Sequence, residues 1–140
     1  MSRTQAEDLA IGAANETVVL PQLARLLNTQ LKKHSNEMWA IDFHNEDQTV
    51  WAETKRRFCN RATYPDVMVG KNKVDFCTDP SKDYYFSWNY DDGFYYIKYD
   101  KTLFDTFEIR PFQRTSGINR RDRETHCVWV PTSLLTKIEA

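Results

Sequence analysis

The segment "DYYFSWNYDDGFYYIKYD", residues 83–100, constrains this chain more than any other. Nine aromatic residues are interspersed with polar ones on either side of an acidic, glycine-containing turn. Alternation with period two is the signature of a strand, and Asp92-Gly93 is a strong two-residue hairpin signal. Tyr84, Phe86, Trp88, Tyr90, Tyr95, Ile97 and Tyr99 then share one face. Tyr85, Ser87, Asn89, Phe94, Tyr96 and Lys98 share the other. So much aromatic area on one face must be buried, so the first face reads as sheet core packed against a helix. Exposed aromatic rings on the mixed face are the competing reading, either as stacking platforms for unpaired bases or under another subunit.

The rest of the chain supplies the partners for that hairpin. Residues up to about 33 read as helix, with Leu20, Leu23, Leu27 and Leu31 at helical spacing and Pro21 expected to kink it or start a second helix. Two strands follow, "EMWAIDFH" and "TVWAETK", joined by the polar turn 45–48. Residues 65–78 read as a helix opened by Pro65. After the aromatic hairpin come a short helix near 101–107, an arginine-rich loop over 113–125, the strand "HCVWV" and a terminal helical turn. This order implies a single domain over residues 1–140, of α/β or α+β class, built as three layers on a mixed sheet.

With 140 residues the chain is long enough to bury a core. It lacks any apolar run near the roughly 20 residues that span a bilayer, and no signal-peptide stretch opens it, so a soluble, intracellular protein with no membrane partner is expected. Cys59, Cys77 and Cys127 form no C-x-x-C pair, which argues against a disulfide framework or cysteine zinc site. The net charge of −1 gives no overall pull toward nucleic acid. Cations do bunch locally, at Lys32/Lys33, from Lys55 to Arg61, and at Arg114, Arg120, Arg121 and Arg123. Converging on one face, such bunches make a phosphate-binding footprint.

"TVWAETKRR", residues 49–57, begins as a buried strand and ends in three cations. Strand alternation puts Trp51, Glu53 and Lys55 on one side. A hairpin loop over 45–48 sets residue 42 opposite 51, so Asp42 joins Glu53 and Lys55 on that face. Two carboxylates this close repel unless a cation lies between them. Asp42 and Glu53 suit a hard, oxygen-preferring metal such as Mg²⁺, with Lys55 directed at the same phosphate. The bland alternative is a solvated strand face carrying an ordinary Glu–Lys pair.

The pattern Asp42-x10-Glu53-Thr54-Lys55, after a helix carrying Glu16, resembles the PD-(D/E)XK nuclease superfamily, which includes restriction-type enzymes, junction resolvases and small viral and phage endonucleases. The resemblance implies a restriction-endonuclease-like core, a mixed sheet flanked by helices, and metal-dependent hydrolysis of DNA with Mg²⁺, for which Mn²⁺ substitutes. It implies that Asp42, Glu53 and the Thr54 backbone carbonyl hold metal, that Lys55 orients the attacking water, and that Glu16 assists a second metal or an outer-shell water. Arg56, Arg57, Lys71 and Lys73 are candidate nucleic-acid contacts. Small size suggests structure-directed or weakly sequence-specific cleavage, as in repair and recombination. A homodimer is consistent with cutting both strands. The rival functions are a non-catalytic nucleic-acid-binding or scaffold protein of the same fold and an RNA-directed endonuclease.

Two weaker motifs remain. Asp122, Glu124 and His126 in "RDRETH" alternate as metal ligands would, although the neighbouring arginines favour a charge-paired loop. "VGKNK" lacks the upstream glycine and terminal hydroxyl of a phosphate loop, leaving Lys71 and Lys73 as simple cations.

Overall fold

The computed structural model describes residues 4–34, 41, 43–113 and 124–139, with the side chains of residues 5, 8, 112, 113, 124 and 125 excepted. It is an α+β structure with a mixed sheet and three helices.

The first helix, α1 (Gln5–Leu26), starts at Thr4, whose hydroxyl accepts the Glu7 amide at 3.1 Å. It runs through Pro21 without breaking into two. Only one intrahelical bond is forfeited there, while Val19 and Leu23 on either side of the proline are both fully buried. The helix ends earlier than its leucine spacing predicts. Asn28 takes a left-handed φ of 52°, and Lys32–Lys33 form a short strand, β1. Leu31 still packs on the same apolar cluster, from outside the helix.

A six-stranded sheet has the order β1-β2-β3-β5-β6-β9, comprising β1, β2 (Phe43–His44), β3 (Val50–Arg56), β5 (Asp83–Tyr90), β6 (Gly93–Lys98) and β9 (Thr136–Lys137). Every pairing is antiparallel except β3 with β5. The β2–β3 register sets His44 opposite Trp51 and Phe43 opposite Ala52. This corrects the predicted register by two residues. Asn45 extends the loop, its side-chain oxygen accepting the amides of Thr49 at 2.9 Å and Val50 at 3.1 Å. The aromatic hairpin shows the same kind of shift. Tyr90 pairs with Gly93, so the turn is Asp91-Asp92, and Gly93 begins β6 at a φ of 142° with the Lys137 side chain against it. In both cases the slip is even, so every side chain keeps its predicted face.

Between β3 and β5 the chain leaves this sheet. Residues 66–70 are a strand, β4 (Asp66–Gly70), followed by one turn and a little more of helix, α2 (Lys71–Asp75), where a single helix over 65–78 is predicted. The deciding pattern is Val67 and Val69, β-branched, two apart and each 5% exposed. After α3 (Lys101–Phe104), β7 (Glu108–Gln113) forms where the sequence reading assigned no element before the loop, and it pairs with β8 (Glu124–Pro131). Strand β8 also pairs with β4, completing a second, three-stranded sheet in the order β4-β8-β7.

The layers follow from the two faces of the aromatic hairpin. Tyr84, Phe86, Trp88, Tyr90, Tyr95 and Ile97 pack with Val67, Val69, Val128 and Val130 of the second sheet. Tyr85, Phe94 and Tyr96 pack with Val19, Leu23, Ala52 and Ile138 under α1. The aromatic face is buried as expected, but under a sheet rather than a helix, while α1 covers the mixed face that was expected to be exposed or under another subunit. Among the described residues, one long helix flanks the central sheet on one side and the three-stranded sheet lies on the other.

A polar link fixes α1 in its place. Asn15, 6% exposed, donates to the Thr54 hydroxyl at 3.3 Å and accepts from the Asn89 amide at 3.0 Å, tying α1 to β3 and β5 at once. Asn15→Ala strands two buried polar groups and is expected to cost about 1–3 kcal/mol in urea unfolding. A loss within measurement error would mean that the link contributes nothing.

None of the three cysteines is in a disulfide. Burial pushes the Cys77 thiol up to about 12 from its usual 9.0. An unfolded thiol ionises near the lower value, so this contribution to stability is complete below about pH 9 and is lost as pH rises through about 12. Iodoacetamide at pH 8 should label half-buried Cys59 in the native protein and Cys77 only after unfolding. Equal native rates at the two cysteines would contradict this packing. Among the described residues no helix is long and apolar enough to cross a membrane.

Candidate active site

Strand β3 is covered on both faces, by α1 and by the second sheet, until it emerges at Lys55. Just before that point the second sheet ends at Gly70 and turns into α2. A cleft of about 730 Å³ opens there, lined by residues of β3, β4, α2, β5 and β8, including Glu53, Lys55, Arg57, Lys71, Lys73 and His126.

Glu53 lies at its floor, 6% exposed, with one carboxylate oxygen 3.3 Å from the Lys73 ammonium. Its backbone is held as well, the Ser87 hydroxyl donating to the Glu53 carbonyl at 2.9 Å. A carboxylate this buried needs a cation nearby to remain ionised, and Lys73 supplies one from across the cleft. Lys55, two residues further along the same face, is exposed toward the opening. Lys71 also lines the cleft and pairs with Asp75 one helical turn on, at 2.8 Å.

Arg57 sits deeper. Burial lowers its pKa from the ordinary arginine value, opposed by the nearby Tyr90, Cys59 and Cys127. Among the described residues no carboxylate and no hydrogen bond engages its guanidinium. A desolvated arginine in a cleft wall is a fit for an incoming anion, and its planar fork matches phosphate.

The expected site residues separate into two groups. Glu53, Lys55, Arg57, Lys71 and Lys73 come together in the cleft. Thr54 lies between Glu53 and Lys55 with its hydroxyl turned to α1, bonded to Asn15. Glu16 is not brought to the cleft. Position 15 of α1 faces the sheet, so its neighbour turns toward the β1 edge, where Glu16 lies 3.6 Å from the Lys33 ammonium. Arg56 is also turned away. It bridges to Asp91 at 2.6 Å, donates to the Asn89 carbonyl at 3.1 Å and lies over the Phe58 ring. Asp42 lies outside the described residues, as does Asp122 of "RDRETH". Among the described residues no group of three or more His, Cys, Asp and Glu is gathered as a metal would need.

Glu53 offers buried carboxylate oxygen, and Mg²⁺ is commonly held by one or two carboxylates with water and substrate phosphate completing its shell. The residues present fit that mode. Sequence reading placed Lys73 as a phosphate contact and missed it as the partner of Glu53. It also missed Asn15 and Ser87, which position β3. The alternating valines of β4 were the available signal for Lys73, because they carry the chain across the cleft before α2 begins. In comparisons with known proteins, no family model matches the chain and no curated protein sequence matches it.

Proposed function

We propose that this cleft is the active site of a metal-dependent nuclease of PD-(D/E)XK type that hydrolyses phosphodiester bonds in DNA. The observation that carries the reading is a buried carboxylate, Glu53, at the floor of a cleft whose walls present Lys55, Lys71, Lys73 and Arg57. Such a site accepts an anion along its walls and concentrates a divalent cation at its floor. On the fold, the β2–β3 hairpin, the parallel β5 and α1 support a restriction-endonuclease-like core, with the three-stranded sheet as an elaboration on its second face.

Glu53, with Asp42 and the Thr54 carbonyl as the expected companions, would hold Mg²⁺. The ion when bound would supply Lewis acidity at the phosphate and a water more acidic than bulk water. Lys55 reaches the phosphate from the open end of the strand, where its ammonium orients the attacking water and offsets charge developing on the phosphoryl oxygens. Lys73 keeps Glu53 ionised and oriented before substrate arrives. Arg57 grips a non-bridging oxygen of a neighbouring phosphate through paired N–H donors.

The test is incubation with labelled single-stranded, duplex, flapped and four-way-junction DNA, and with RNA, in Mg²⁺, Mn²⁺ or chelator. Cleavage of DNA only in the presence of metal is expected. Preferential cutting of RNA would move the assignment to an RNA-directed enzyme, and binding without cleavage in either metal would leave a binding or scaffold protein.

A further inference from the structure

A second cavity, of about 360 Å³, adjoins the cleft, with Arg57 and Met68 lining both. Its walls are mostly apolar and aromatic, formed by Cys59, Tyr64, Val67, Met68, Tyr90 and Trp129. Asn60, Arg61 and Asp66 add hydrogen-bonding groups to the lining. The Tyr64 side chain stands 63% exposed. Its backbone is nonetheless clamped, because the Thr132 hydroxyl donates to the Tyr64 carbonyl at 2.9 Å and the Thr132 amide to the Pro65 carbonyl at 3.0 Å. Arg61 closes the same clamp by donating to the Thr132 carbonyl at 3.0 Å. An exposed ring on a fixed backbone is pre-organised to stack on a flat partner at little entropic cost.

The two cavities are chemically complementary halves joined at one arginine. One is lined by cations and suits a phosphate, and the other is lined by aromatic and apolar side chains with polar groups among them. We propose that the second cavity receives one unstacked base of a single-stranded polynucleotide whose adjoining phosphate lies against Arg57 in the cleft. The proposal rests on the nuclease reading for the identity of the cleft ligand and adds to it a substrate class. A base inside an intact duplex is stacked on both faces and cannot enter such a slot, so unpaired strands, flaps and loops are favoured over continuous duplex. Arg57 at the junction fixes the register between the base held and the phosphate presented to Glu53.

The experiment measures binding in chelator, so that no hydrolysis occurs. The full chain is titrated with a fluorescent single-stranded oligodeoxynucleotide carrying one 2-aminopurine, with the matching oligoribonucleotide, and with the blunt duplex of the same sequence. Wild type should bind the single strands more tightly than the duplex and quench 2-aminopurine by stacking. Tyr64→Ala should weaken single-strand binding about tenfold, relieve the quenching and leave duplex binding unchanged, whereas Tyr64→Phe should retain wild-type behaviour. Arg57→Met should weaken binding to all three and lower the slope of log affinity against log salt by about one. Wild-type affinity and quenching in Tyr64→Ala, duplex bound as tightly as single strand, or an unchanged salt slope in Arg57→Met would overturn the proposal. Because metal is absent, a failure of the nuclease reading appears in the cleavage assay and leaves this binding result intact.

Discussion

Glu53→Gln should abolish metal-dependent cleavage while leaving the protein folded, with a fall in rate of about a thousandfold or more. The change is nearly isosteric, so the shape of the cleft floor is kept. It removes the buried carboxylate at the cleft floor that pairs with Lys73, and with it the hard anionic oxygen a divalent ion needs. Lys73 then loses its counter-charge, so binding of anions to the cleft should be maintained or strengthened even as turnover is lost. That opposite movement of binding and turnover distinguishes a lost metal ligand from a collapsed site. If Glu53→Gln cleaves at the wild-type rate, Glu53 is not in the reaction centre.

The second large effect is on stability. Trp51 is 2% exposed, its ring lies 5.0 Å from Phe76 and 4.8 Å from His44, and its indole N–H donates to the Gln48 carbonyl at 2.8 Å. It therefore fills the core beneath the cleft and fastens the β2–β3 loop at the same time. Trp51→Ala should lower unfolding free energy by about 3–5 kcal/mol, measured by urea denaturation, since the surrounding rings cannot close so large a space. A loss below about 1 kcal/mol would show that the ring is not packed as described.

The elements read well from sequence were those governed by strand parity. Both hairpin registers were placed two residues from their true pairings, yet Glu53 and Lys55 still share a face and the aromatic hairpin still divides into its two expected faces. Even slips leave facing intact, and burial of one face forbids odd ones. What was not legible was which layer covers which face. The aromatic face looks like a seat for a helix, but the sheet that fills it joins β7 and β8 to β4, which lies more than fifty residues before β8 in the sequence. Residues 65–78 carry Pro65 and enough apolar positions to suggest a helix, and only the Val67–Val69 alternation betrays the strand. Missing that strand hid the ion pair between Lys73 and Glu53, because α2 reaches β3 only after β4 has crossed the sheet.

The same limits explain the candidate site. Residues on β3 and in the turn after β4 were identified because charge interrupting an apolar strand is visible locally. Glu16 was expected through resemblance, and its place depends on the rotation of α1, which Asn15 sets by bonding to Thr54 and Asn89. No local pattern reports that rotation. Arg56 and Arg57 are adjacent, but one points to the Asp91 turn and the other into the cleft, again through strand alternation at the end of β3.

The most direct measurement is a crystal structure of the protein grown with Mn²⁺, whose anomalous signal locates the ion without ambiguity. The account predicts a peak about 2.0–2.3 Å from a Glu53 carboxylate oxygen, with the Lys73 ammonium displaced from its ion pair. A Glu53–Lys73 pair unchanged at saturating Mn²⁺, with no anomalous peak in the cleft, would contradict it.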